Sequence, residues 1–267
     1  MIRDITIGQY YPSESVIHKL DPRVKLFATM LFVISLFLEK GILSFVIATV
    51  ALVLVIMISK VPLSYILRGL KPIVFLLVFS CVLNMLFTKG DTVWFQWHFL
   101  VLSKEGVINA AFMGVRLLYL VVGSSLMTFT TTPNQLTDGI EKAFRPLNKL
   151  HVPVHEFAMM MSIALRFIPI LTEELDKIMK AQAARCADFE QGSLKEKAKG
   201  LVPIIIPLFV SAIRRANDLA LAMEARCYQG GSGRTKLYPL YYQKRDYLAY
   251  VWIIAYFVLM ILAAVFY

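Results

Sequence analysis

The phrase Ala184-Arg185-Cys186 returns 41 positions later as Ala225-Arg226-Cys227. Each copy closes a long helical pattern and runs into residues that stop helices. Asp188, Gln191 and Gly192 follow the first copy; Gln229, Gly230 and Gly231 follow the second. An arginine held at such an end offers a rigid fork of donors that grips a carboxylate with two parallel hydrogen bonds. Small neighbours on either side let a partner surface come close. A single arginine there would also be explained as a solvated cation favoured by the helix dipole. The repetition points further, to two matched grips for acidic partners.

Other chemistries are poorly supplied. No G-x-x-x-x-G-K-[ST] phrase cradles nucleotide phosphates, and neither H-E-x-x-H nor G-x-S-x-G occurs. His151 and His155 stand four apart, but Pro153 lies between them and no carboxylate follows at ligand spacing, so no metal is expected. Cys81, Cys186 and Cys227 form neither a C-x-x-C pair nor an even disulfide framework. Arg116 is the one charge deep within an expected span, and no pair of carboxylates is there to relay protons or hold sodium. It is expected to meet Asn84, a carbonyl or a partner subunit, in a structural or a functional role. Gly114 and Gly123 beside it would let helices approach closely.

The elements that must carry these residues are membrane helices. Of the 267 residues 58% are hydrophobic and 17% charged, against about a quarter charged in soluble domains. The net charge of +10 is concentrated: 17 of 28 Lys and Arg fall between Lys142 and Arg245. That clustering fits a cytoplasmic mass facing lipid or acidic protein rather than nucleic acid. The opening MIRDITIGQYY is polar and does not read as a signal peptide.

Asp21 as N-cap and Pro22 at the first helical position open the first span, Val24 to Leu38. Glu39, Lys40 and Gly41 make a turn, and Ile42 to Ser59 returns. A short interfacial helix is expected at residues 62–67, then spans at 73–87 and 107–130. Residues 92–102 alternate imperfectly, as an interfacial hairpin or an aromatic belt anchored by Trp94 and Trp97. Thr132 and Pro133 open an amphipathic helix to about Leu150, and Ser193 with Glu196 forms a capping box for another. The helices over 154–187 and 193–227 hold apolar stretches of only about 13–15 residues, interrupted by Arg166, Pro169, Pro203 and Pro207, where a span needs about 20. They are expected to lie beneath the membrane; two further spans are the alternative. Tyr247 to Tyr267 is the last span.

The fold class is therefore an all-α integral membrane protein of about five spans with long coupling helices under the bilayer in an L-shape. The regions are 1–131 (leader and four spans), 132–232 (coupling helices) and 233–267 (last span). Basic loops on the leader side place the N-terminus on the cytoplasmic side of the membrane and the C-terminus outside. The membrane body has no engine of its own, so the energy would enter from another subunit. Two rival readings are a self-contained permease binding substrate between its own helices, and a membrane enzyme using His151 or His155.

The leader reads Gly8, Tyr10, Pro12, Ser15, His18, Leu20, Asp21, Pro22, Arg23, Lys25. Together with the two arginine phrases and Ala164-Leu165-Arg166-Phe167-Ile168-Pro169, it resembles the transmembrane T-component of energy-coupling factor transporters, the vitamin-uptake branch of ABC transporters. That family usually carries Ala-Arg-Gly where this chain has cysteine at Cys186 and Cys227. The resemblance implies a non-enzymatic scaffold with no cofactor of its own, ATP and Mg²⁺ being bound by two cytoplasmic ATPases. Arg185 and Arg226 would each insert into a groove of one ATPase. Met159, Met160, Met161, Ile204, Ile205 and Phe209 would face a small vitamin-binding membrane subunit, the S-component, unless they simply pack internally or against lipid. Asp21, Pro22, Arg23 and Arg116 would be structural.

Overall fold

The computed structural model describes residues 10–38, 41–88, 93–97, 100–150, 152–185, 194–230 and 239–266. Glu39, Lys40, Thr92, His151, Cys186, Ser193 and the 231–238 turn, on which several expectations rest, lie outside the described residues. The chain divides into two compact units, Met1–Gly139 with Leu240–Tyr267, and Ile140–Pro239.

In the first unit, helix α1 spans Pro22–Phe37, α2 Ile42–Ser59 and α3 Leu63–Phe87. Strands β1 (Val93–Trp97) and β2 (Leu100–Ser103) follow as an antiparallel hairpin, pairing Trp97 with Leu100. Helix α4 spans Lys104–Thr130 and α5 starts at Pro133; α8, Lys244–Phe266, comes back from the end of the chain. Helix α1 packs on α4 and α8, α2 on α8 and α4, and α3 on α4. The core gathers Leu52, Val61, Leu70, Val122, Leu126 and Phe129, with Tyr65 set edge-on to Phe129 at 5.2 Å.

The starts are fixed by local chemistry. The Asp21 carboxylate accepts the Arg23 N–H, with Pro22 in the first turn where its missing donor costs nothing. Ser103 accepts the Gly106 N–H at 3.0 Å and donates to the Thr88 carbonyl at 3.1 Å, which ties α4 to the end of α3. Thr132 and Gln135 exchange side-chain and backbone bonds at 3.3 and 3.2 Å, a reciprocal capping box at α5.

One expectation fails here. Residues 62–67 are not a separate interfacial helix; α3 runs unbroken from Leu63 through Pro72. Pro72 sits in the third turn, where it removes a single donor and leaves the helix on both sides intact.

Outward faces are apolar: Phe75 is 80% exposed, Trp252 68% and Val265 75%. Such surface needs lipid. Among the described residues six helices are long and apolar enough to cross a membrane: α2, α3, α4 and α8, and in the second unit α6 (Val154–Ala183) and α7 (Leu194–Ala225). Helix α1 is not among them, since 16 residues extend only about 24 Å. The expected count was five, with α1 included and α6 and α7 left out. The last two have the lowest hydropathies of the six, 1.5 and 1.3.

The second unit begins in α5, which ends at Phe144, and passes through a 3-10 segment, Arg145–Leu150, to α6 and α7. The helix predicted to continue to Leu150 thus tightens after Phe144, at Arg145-Pro146, because proline disfavours α geometry in the residue before it.

Candidate functional site: two arginine tips and a latched leader

Helices α6 and α7 lie side by side, and their polar contacts set the direction. The Gln182 amide donates to the Pro203 carbonyl at 3.3 Å, Arg215 pairs with Glu174 at 2.8 Å, and the Tyr228 hydroxyl reaches the Met159 sulfur at 3.1 Å. As numbers fall along α6 they rise along α7, so the two run antiparallel. Arg185 and Arg226 therefore stand at opposite ends of the pair, not side by side. At 1.5 Å per residue they are roughly 35–40 Å apart along its axis. Both are exposed.

The second tip has a defined geometry. The Tyr228 N–H reaches back to the Met223 carbonyl at 3.1 Å and the Cys227 N–H to the Glu224 carbonyl at 2.8 Å. This pair of bonds closes a helix around one left-handed residue, and that residue is Cys227, with φ of +56°. Arg226 thereby sits, exposed, at the residue before that turn. At the first tip the Arg185 N–H bonds the Gln182 carbonyl at 3.0 Å, which keeps a helical turn up to that arginine.

Of the six residues expected to face a membrane partner, Met160, Met161, Ile205 and Phe209 are more than half exposed. Ile204 is 3% exposed and turns inward, and Met159 is taken up by Tyr228. An i, i+1 step on a helix rotates by 100°, so a run of apolar neighbours cannot all share one face.

A second constellation lies in the first unit, around the leader. His18 is buried between the Ser15 hydroxyl at 2.7 Å and the Tyr11 carbonyl at 3.0 Å. Burial pushes its pKa below the usual imidazole value, and the nearby Lys25 charge adds to that, against the opposing carbonyl contacts. Lys25, also buried, donates to the carbonyls of His18 (3.2 Å) and Thr130 (2.7 Å), and the Tyr11 N–H bonds the Phe129 carbonyl at 2.9 Å. Arg23 grips Asp21 through two bonds of 3.0 and 2.9 Å and lies 3.9 Å over the Tyr242 ring.

The residue that joins these parts is Asp246, 1% exposed. One of its oxygens accepts the Asp21 N–H at 2.9 Å and the other the Gln243 N–H at 2.8 Å. One carboxylate therefore completes the N-termini of α1 and α8 together, where both helix dipoles favour negative charge.

These arrangements coincide with a family-wide likeness. The model of the CbiQ cobalt transport protein family matches residues 13–237. The chain belongs to the CbiQ/EcfT family. A relative in Clostridium kluyveri, named energy-coupling factor transporter transmembrane protein EcfT, is 54% identical over 250 residues, 93% of each chain. The proteins of the same name in Acidaminococcus fermentans and Bacillus subtilis are 48% and 46% identical, covering 97% of both chains and 92–93%, respectively.

The resemblance led to an expected Ala-Arg-Gly phrase, whose last residue permits a left-handed turn. Here Cys227 adopts that turn without being glycine. A non-glycine residue there costs roughly 1–2 kcal/mol, so the bend itself is kept while the residue best suited to it is not. Cys186, the equivalent position, lies outside the described residues.

Arg116 lines an open cleft of about 420 Å³ with Asn84, Asn109, Thr88 and Phe45. Its guanidinium lies 5.9 Å from the Phe45 ring centroid, and the Thr88 hydroxyl donates to Asn84 at 2.8 Å. Asn84 lines the same cleft. His155 binds Glu141 at 2.9 Å, and no group of three metal-ligating side chains occurs among the described residues. Asp246 was missed by sequence reasoning. Its only signal is an acid at the third helical position after Gln243, and glutamine is a poor marker of a cap.

Proposed function

We propose that this chain is the non-catalytic transmembrane scaffold of an energy-coupling factor importer. It transmits the motion of two cytoplasmic ATPases to a separate vitamin-binding membrane subunit. ATP and Mg²⁺ are bound by those ATPases, and this chain needs no cofactor. The observation that carries the reading is the pair of exposed arginines at opposite ends of one antiparallel helix pair. Two tips roughly 35–40 Å apart suit two separate grooves, one per ATPase, better than one binding site. A change in groove spacing then becomes a change in the crossing of α6 and α7. Exposed Met160, Met161, Ile205 and Phe209 give those helices an apolar surface that re-packs against interchangeable partners. The N-terminus and the arginine tips lie on the cytoplasmic side and the C-terminus outside.

The test is co-purification. Removing one partner of a desolvated charge pair costs about 2–5 kcal/mol. Arg185→Glu with Arg226→Glu is expected to abolish recovery of both ATPases while membrane insertion is unchanged. Each single reversal should leave one attachment and a weakened complex. Full recovery from the double variant overturns the docking.

A further inference from the structure

At the leader's end of the first unit, an open cleft of about 410 Å³ lies where the leader passes the ends of α2 and α8. Three cations line it, Lys19, Lys60 and Arg245, against one carboxylate, Glu14, which leaves a net charge of +2. Glu14 is 90% exposed and bound to Lys19 at 3.2 Å, so it neutralises the rim and not the floor.

Arg245 is the telling member. Its Nε is buried and has no acceptor among the described residues. The adjacent Asp246 carboxylate is turned away from it, its oxygens accepting the N–H groups of Asp21 and Gln243. A buried guanidinium donor without an acceptor carries a desolvation cost that an external oxyanion would remove. Lys60 adds a second cation at the C-terminal end of α2, where the helix leaves unpaired carbonyls. It stands there in a left-handed conformation, φ +56°, that asparagine or glycine would hold with less strain.

The rest of the wall is apolar. Val16 is 59% exposed, Met57 71% and Ile58 49%. The strip continues along α2 through Leu54 and Val50. A free phosphate or nucleotide has no use for that strip; an acyl chain does.

We propose that this cleft seats the phosphate of an anionic phospholipid from the leaflet on the leader's side, with an acyl chain laid along the exposed face of α2. Lys60 and Arg245 hold the phosphate oxygens and Lys19 closes the rim. The lipid thereby supplies the acceptor that Arg245 lacks and ties the leader to the ends of α2 and α8.

Native mass spectrometry of the delipidated full chain tests this with three probes: phosphatidylglycerol, phosphatidylcholine and water-soluble glycerol 3-phosphate. Phosphatidylglycerol is expected to bind one to one and well above the other two. Removing one cation near a membrane phosphate should weaken it about five-fold, and two about thirty-fold. Lys60→Asn gives the single loss at a position asparagine suits, so its folding is secure; Lys60→Asn with Arg245→Gln gives the double loss. Arg68→Gln with Lys71→Gln, on the same side but outside the cleft, should change binding less than two-fold. Equal binding of the two lipids by the unaltered chain overturns the proposal. So does an equal loss in the Arg68/Lys71 variant, which would indicate diffuse surface charge. Glycerol 3-phosphate binding as strongly as phosphatidylglycerol would make this a free-anion site and overturn the lipid assignment.

Discussion

Replacing Asp246 by asparagine tests whether one buried carboxylate really serves two helices. The asparagine oxygen keeps one of the two backbone bonds now measured at 2.9 and 2.8 Å. The amide nitrogen then faces a backbone donor, so the other bond is lost. A hydrogen bond to a charged group is worth about 1.5–3 kcal/mol. Loss of the charge at two helix N-termini adds about 0.3–1 kcal/mol each. The sum is centred on about 3.5 kcal/mol, which lowers the melting temperature of a chain of this size by about 7–14 °C. The assay is thermal unfolding of the purified chain in lipid nanodiscs, with hydrogen exchange read at Asp21 and Gln243. One of those two amides should lose protection and the other keep it. Lys244→Gln, next to the helix start but exposed, should shift melting by less than about 1 °C. If Asp246→Asn melts with the unaltered chain and both amides stay protected, the double-cap reasoning is wrong.

Three further outcomes follow from measured geometry. Cys227→Gly removes a left-handed strain of about 1–2 kcal/mol and adds about 0.4–1 kcal/mol of chain entropy; exchange at the Tyr228 amide should slow slightly, whereas Cys227→Val should speed it. A side chain at Gly123 would begin 2.4 Å from the Phe32 ring, so Gly123→Leu should force α1 from α4 and destabilise by about 1–3 kcal/mol or more, seen as a fall in melting temperature larger than that of Ala111→Leu on an exposed face of α4. His18 is buried with a lowered pKa, so the unfolded chain binds more protons than the folded one as pH drops through 6.5. The stability His18 contributes is complete above that value and declines below it, down to the lowered folded value; His18→Gln should flatten melting temperature against pH in that range.

The helices were legible because their signals are local. Asp21-Pro22 and Thr132-Pro133 announce helix starts through backbone chemistry confined to four residues, and both starts are as read. Gly114 and Gly123 were legible as close approaches, with Cys81 and Phe32 as the neighbours they admit. The unbroken α3 was misread because Arg68 and Lys71 look like a polar boundary in sequence, whereas the helix carries both within its first three turns. Asp246 and Ile204 were not legible at all. The partner of Asp246 is 225 residues away in sequence, and Ile204 differs from its exposed neighbour Ile205 only by a 100° turn of the helix. The arginine tips show both sides. Their repetition was visible, but their placement at opposite ends depends on the antiparallel pairing, which three contacts between distant residues establish.

The two units use the same residue types differently. In the first, cations and carboxylates are sunk into a network that fixes the leader: Lys25 holds two carbonyls, Arg23 grips Asp21, and Asp246 closes two helices. Breaking any of these strands a buried polar group, so the arrangement resists gradual distortion. In the second, α6 and α7 are joined by a part-exposed ion pair, one amide-to-carbonyl bond and one hydroxyl-to-sulfur contact. Pro169, Pro203 and Pro207 remove further bonds from within the helices. Each of these contacts exchanges with water or lipid at small cost, as the proposed change in the crossing of α6 and α7 would require. On the proposed function, the buried polar groups of the first unit would serve as the stiff part and the exposed polar contacts between α6 and α7 as the compliant one.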